Sequence, residues 1–98
     1  MQPDQKLFVL VRNDLSRSQK AVQAGHAVAQ FCIEQPGKWV NGTLVYLKVA
    51  DEKELDEWFG TKLFGATRTF FCEPDRDNEM TAIAALGVDE YVKDLPLL

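Results

Sequence analysis

Residues 6–12 read KLFVLVR, and residues 13–18, NDLSRS, lead from them into QKAVQAGHAVAQFCIE over residues 19–34. The first run is almost unbroken in apolar residues. A strand wetted on one face alternates apolar with polar residues, so a run without alternation predicts a central strand buried on both faces. NDLSRS reads as a loop in which Ser16 or Ser18 can cap the following helix by accepting a hydrogen bond from one of its free N–H groups. Within that helix Ala21, Ala24, Gly25, Val28, Phe31 and Cys32 recur at helical spacing and predict the side that lies on a sheet. Several are small, which permits close approach.

Working outward, strand-like and helix-like stretches alternate, the pattern of an α/β layered domain. Pro36 and Gly37 end the first helix, and Asn41-Gly42 turns the chain into a second strand at Thr43–Val49. Asp51, with Glu54 three residues later, resembles a capping box and opens a second helix to about Lys62, with Leu55, Trp58 and Phe59 as its apolar side. Gly60 and Gly65 loosen its end. Thr67–Cys72 (TRTFFC) predicts a third strand, EPDRDNE an acidic loop, and Thr81–Leu86 a fourth strand ended by Gly87. The tail, VDEYVKDLPLL, predicts a short helix or extended segment whose Leu95, Leu97 and Leu98 pack on the body or on a partner. The expected fold is one three-layer α/β/α domain spanning residues 1–98, with a mixed sheet of about four strands.

The 98 residues fit one domain, and the 46% hydrophobic fraction suffices for a core without disulfides or metal. No apolar run approaches a membrane span. The opening MQPDQK is polar and carries an acid, unlike a signal peptide, so the expected compartment is the cytoplasm. Cys32 and Cys72 form no C-x-x-C pair, which argues against zinc and for two small buried hydrophobes. The net charge of −4 is unevenly spread. Residues 1–49 hold six Lys or Arg against three acids, and residues 50–98 hold five against twelve. Arg12, Arg17 and Lys20 cluster around the first strand-to-helix junction, either as a local phosphate-attracting patch or as ordinary solvated side chains.

Gln19, Gln23, His26 and Gln30 are spaced i, i+4, i+7, i+11 and fall within roughly a 60° arc of the first helix, opposite the small apolar side. A solvated helix side usually carries Lys and Glu. Neutral amides beside the chain's one histidine suit a surface that orients something polar; they also suit an exposed side of good helix formers, with His26 bonded to a neighbouring backbone group.

A strand ending in V-R-x-D-L, followed by a helix carrying Q-x-x-H-A, resembles the type-II peptidyl-tRNA hydrolase family. The matching residues are Val11, Arg12, Asp14 and Leu15, then Gln23, His26 and Ala27. A W-x-x-G stretch, a V-x-L-K-V strand and an acidic helix start follow in the family's order. The resemblance implies a mixed four-stranded sheet between helices, a homodimer, and hydrolysis of the ester joining a peptide to the 3′ end of tRNA, without metal or cofactor. Gln19 stands where the family keeps a lysine, with lysine displaced by one to Lys20. The family's Asp-x-Gly-x-Thr loop and Gly-Thr-x-Thr strand correspond to Glu73–Asp77 and Met80-Thr81, with an acid kept at Glu73 and a threonine at Thr81.

Ester hydrolysis requires a positioned water, a base for its proton and donors for the developing oxyanion. The resemblance assigns Glu73 or Asp75 to the water, Lys20 to the oxyanion or the leaving ribose oxygen, and Gln23 and Thr81 to holding the ester. His26 would orient a neighbour, and Arg12 and Arg17 would meet tRNA phosphates. The alternative is a domain of this kind that has lost catalysis and binds RNA or a protein partner. Action on another ester or amide stays open as a third reading.

Overall fold

The computed structural model describes residues 5–87 and 89–98. Residues 1–4, which carry most of the N-terminal expectation, and Val88, the first residue of the tail, lie outside the described residues. The elements are β1 (Lys6–Arg12), α1 (Arg17–Glu34), β2 (Leu44–Val49), α2 (Glu52–Glu57), β3 (Arg68–Glu73) and β4 (Glu79–Gly87), with short helical turns between and after them. They build a four-stranded sheet in the order β2-β1-β4-β3. β1 pairs parallel with β2 and antiparallel with β4, and β3 pairs antiparallel with β4. The chain is thus a single α/β domain with a mixed sheet.

β1 is central and buried on both faces, as its unbroken apolar run requires. Leu7, Val9 and Val11 face one way, with Ala24, Ala27 and Phe31 of α1 and Ala82 and Ala84 of β4. Phe8 and Leu10 face the other, with Leu55 of α2, Trp58, Leu63 and Ile83. Helices therefore cover both faces. Alanines in β4 leave room for this on a strand buried along most of its length.

Local signals place the helix ends. Ser16 caps α1, its Oγ accepting from Gln19 N at 3.2 Å. Asp51 caps α2, accepting from Glu54 N at 3.0 Å, while the Glu54 carboxylate reaches back to Ala50 N at 3.1 Å, one residue before the cap. The expected second helix is α2 followed by a wider π turn over Trp58–Lys62, in which Leu63 N reaches Trp58 O at 2.8 Å. The wider turn brings Trp58 and Leu63 into the core with Leu55. Gly65, at φ 90°, then reverses the chain where other residues would be strained.

Two expectations are corrected. The buried side of α1 is Gln23, Ala24, Ala27 and Phe31, so Ala21, Gly25 and Cys32 turn to solvent. Cys32 is accordingly not a buried hydrophobe, whereas Cys72 is half-buried, and both are free thiols. The cause is the amide of Gln23, which finds its partners under the helix and fixes its rotation. In the tail, Leu95 packs on the α2-side core, while Leu97 pairs by its backbone with Leu47 and leaves its side chain 70% exposed. Among the described residues no helix is long and apolar enough to cross a membrane.

Candidate active site

The carboxyl ends of β1, β2 and β3 lie at one end of the sheet, because these strands run the same way. The loop from Pro74 to Asn78 and the start of β4 lie at that end too. Gln23 is the hub of the polar groups gathered there. Its side chain is fully buried. The amide Nε2 donates to Glu73 Oε1 at 2.7 Å and to Gln19 Oε1 at 3.2 Å, and Thr81 Oγ1 donates to Gln23 Oε1 at 2.7 Å. Both N–H bonds are committed and the carbonyl is engaged, so the amide is held in one orientation. An unpartnered buried amide would cost about 1–3 kcal/mol; here the same group links α1, β3 and β4.

Thr81 reaches Gln23 because of an irregularity in the sheet. Phe71 pairs with Ala82, but the next residue, Cys72, pairs with Met80. Thr81 is the extra residue of a β-bulge, which breaks the alternation of side-chain direction. Ala82 belongs to the α1 side of the core, and Thr81, its immediate neighbour, also turns its side chain to α1. Without the bulge it would point to the α2 side.

Glu73 is half-buried at the end of β3. Oε1 takes the Gln23 bond, while Oε2 lies 3.5 Å from Asp75 N, a long contact that leaves lone-pair capacity. Asp75 itself is exposed on the turn after β3, and its carboxylate does not join the cluster. His26, one turn beyond Gln23, is exposed and stacks on Phe71 with ring centroids 4.4 Å apart and planes 8° from parallel. Gln23 and His26 therefore lie along the seam between α1 and β3, whereas Gln19 is exposed and Gln30 bonds to Glu34 on the helix itself.

Lys20 is not brought to this cluster. Its Nζ donates to Asn13 Oδ1 at 2.7 Å. Residues three apart on a helix are offset by about 60° in one direction and residues four apart by about 40° in the other. Gln19 accordingly falls beside Gln23, and Lys20 falls toward β2. There it lines a cavity of about 470 Å³ with Arg17, Ala21, Tyr46 and Leu98.

Arg12 takes a different place from that of an exposed phosphate contact. It is 5% exposed and donates through Nε and Nη2 to the two oxygens of Asp14, both at 2.9 Å, and through Nη1 to Glu79 Oε1 at 2.7 Å and Met80 O at 3.3 Å. Its charge is neutralised within the domain, tying the end of β1 to the start of β4. The Asp14 hydrogen bonds raise the Arg12 pKa, and the same bonds hold Asp14 below the usual carboxylate range. Glu79 is likewise lowered by its hydrogen bond to Arg12. Arg17 stays exposed at the start of α1.

Sequence reasoning missed Glu79, Asn13 and Phe71. Asp14 lies two residues from Arg12 and could have been paired with it locally. Glu79 is 67 positions away from Arg12, and no local pattern marks it. Among the described residues no group of three or more His, Cys, Asp or Glu is arranged to hold a metal ion.

Comparison with protein-family models and with curated protein sequences gave no match. Among solved structures, a protein of unknown function from Agrobacterium tumefaciens is similar with a TM-score of 0.71 and 16% identity, over 97% of this chain and 98% of that one. At this identity the likeness establishes a shared fold along essentially the whole chain.

Proposed function

We propose that the chain hydrolyses the ester between peptide and tRNA in peptidyl-tRNA, releasing free tRNA by activation of water. The observation that carries this reading is the convergence of Gln23, Glu73 and Thr81 from three separate elements at the carboxyl end of the parallel strands, where open α/β sheets hold their ligands. Glu73 Oε2 is the proton acceptor for the attacking water. Gln23 and Thr81 are positioning residues, since their hydrogen bonds are spent in aiming Glu73. Gln19 and His26, exposed on α1 one turn to either side of Gln23, can offer an amide N–H and an imidazole to the ester or the ribose. Arg17 and Lys20, on the neighbouring flank of α1, supply the positive charge that meets the tRNA phosphates; the Asn13 bond gives Lys20 that role in place of one at the oxyanion.

The same Lys20–Asn13 bond favours a second reading, a domain that binds RNA without hydrolysing it, because it withdraws the cation from the reacting centre. Release of tRNA from N-acetyl-aminoacyl-tRNA separates the two. Hydrolysis predicts turnover by the wild type, a kcat lower by about 10²–10⁴ in Glu73→Gln, and a salt-dependent rise in KM in Lys20→Ala. Tight binding in a gel-shift assay without release would establish the second reading, and absence of both binding and release would overturn both.

A further inference from the structure

The two edges of the sheet differ. The outer edge of β2 is covered by the chain itself: Lys48 N donates to Pro96 O and Leu98 N to Tyr46 O, both at 3.0 Å, with Leu97 antiparallel to Leu47. The outer edge of β3 has no strand beside it among the described residues. In an antiparallel pair, successive residues turn their backbone groups alternately toward and away from the partner. Leu86 N donates to Thr67 O at 2.9 Å, so Thr67, Thr69 and Phe71 face β4 with their backbone groups, and Arg68 and Phe70 present theirs outward. An open edge of this kind invites another strand.

Three features say what that strand is. The edge ends at Glu73, so a chain paired along it leads into the hydrolytic cluster. Side chains of an added strand would alternate between two surfaces: on the α1 side exposed His26 stacked on half-buried Phe71, and on the α2 side a cavity of about 560 Å³ floored by Phe70, Cys72 and Met80 and rimmed by Glu52 and Asp56. The acids of that rim outnumber Lys53, so the cavity suits a long side chain with an apolar stem and a basic end. Phe70, 43% exposed at the middle of the edge, is left for such a chain to cover.

We infer that the β3 edge takes up the peptide portion of the substrate as an added strand, an inference that rests on the hydrolase reading for the identity of the peptide. Its polarity follows. The ester is at the carboxyl end of the peptide and must lie at Glu73, which is the carboxyl end of β3, so the peptide runs parallel to β3. Recognition through backbone groups is indifferent to most side chains, which suits a substrate of variable sequence. About five spacings of about 3.3 Å each separate the ester from the level of Arg68, a length that a tetrapeptide with its N-acetyl group spans.

The test compares tRNA carrying an N-acetylated single residue with tRNA carrying N-acetyl-Val-Lys-Val-Ala. KM is expected to fall about tenfold with the longer peptide at unchanged kcat. N-methylation of the peptide amides in one alternate register should abolish that gain, and in the other register leave it. Release with a KM independent of peptide length would overturn strand docking and leave the hydrolase reading intact. If no tRNA is released at any length, the hydrolase reading fails, and amide exchange with N-acetyl-Val-Lys-Val-Ala amide decides the docking alone. Slowing of the Arg68 and Phe70 amides upholds it, and unchanged exchange overturns it. Protection of those amides that rises with protein concentration and without peptide would assign the edge to a second copy of the chain, overturning the proposal.

Discussion

Thr81 and Arg12 show how single side chains are fixed by contacts far along the sequence. Thr81 acts through a register irregularity that lets one hydroxyl reach under α1 to Gln23. Replacing it by Val keeps the shape and removes the donor, leaving the Gln23 carbonyl unpartnered in a buried site. Thr81→Val should lower unfolding free energy by about 1–3 kcal/mol in urea denaturation. On the proposed hydrolase reading it should also lower the kcat of tRNA release and leave KM little changed, because the loosened amide would no longer aim Glu73. A purely structural threonine would show the stability loss without the kcat effect. The resemblance marked Thr81 as a site residue, but its direction was not legible, because strand alternation would have sent it to the other face. Arg12 was legible as a charged end to an apolar strand; its burial was not, since Glu79 joins it only once β4 lies beside β1.

Among the elements, α1 combines a legible boundary with a misread rotation. Its start at the Ser16 cap and its end before Pro36 follow from local chemistry, as do the four strands, whose limits differ from the sequence expectation by only a few residues. The rotation depended on treating Gln23 as outward because it is polar. Burial of an amide is decided by whether partners wait beneath it, and these partners come from β3 and β4. The outer side of α1 is left with few charges and with Gly25 in its middle, where an added Cβ would meet nothing within 4 Å. Gly25→Ala should therefore stabilise the domain by about 1 kcal/mol, the difference in helix propensity, seen as a higher denaturation midpoint with tRNA release unchanged. The π turn after α2 was not legible, since its extra residue answers to where Trp58 and Leu63 must enter the core rather than to any signal within residues 58–62.

At the scale of the whole molecule, the Arg12 ion pairs clamp β1 to β4 at the site end of the sheet, and this makes stability depend on acid. Asp14 and Glu79 have folded pKa values below their ordinary ones, with hydrogen bonds from Arg12 as the main cause. The unfolded chain therefore takes up protons first as pH falls. The clamp contributes fully above the ordinary carboxylate range, about pH 4, and its contribution is lost as pH drops through the lowered values. Thermal unfolding should show a midpoint that falls steeply below about pH 4–5. Arg12→Met should start lower at neutral pH and fall less steeply, because its carboxylates then titrate alike in both states; parallel curves for the two proteins would refute this account.

The strand order β2-β1-β4-β3 places the last strand of the sequence between the first and the third. Among the described residues β3 has no strand neighbour other than β4, and β1 has only β2 until β4 arrives. During synthesis, then, β1 and β2 can pair, but β3 has no place beside them; a slot one strand wide is left between β1 and β3 until β4 is made. Assembly is deferred to one late insertion that completes the barrier between the two helical layers and draws Thr81 under Gln23 in the same movement. The cluster proposed to cut peptidyl-tRNA is thus absent from any chain that stops short of Thr81, and it comes into being as β4 joins the sheet.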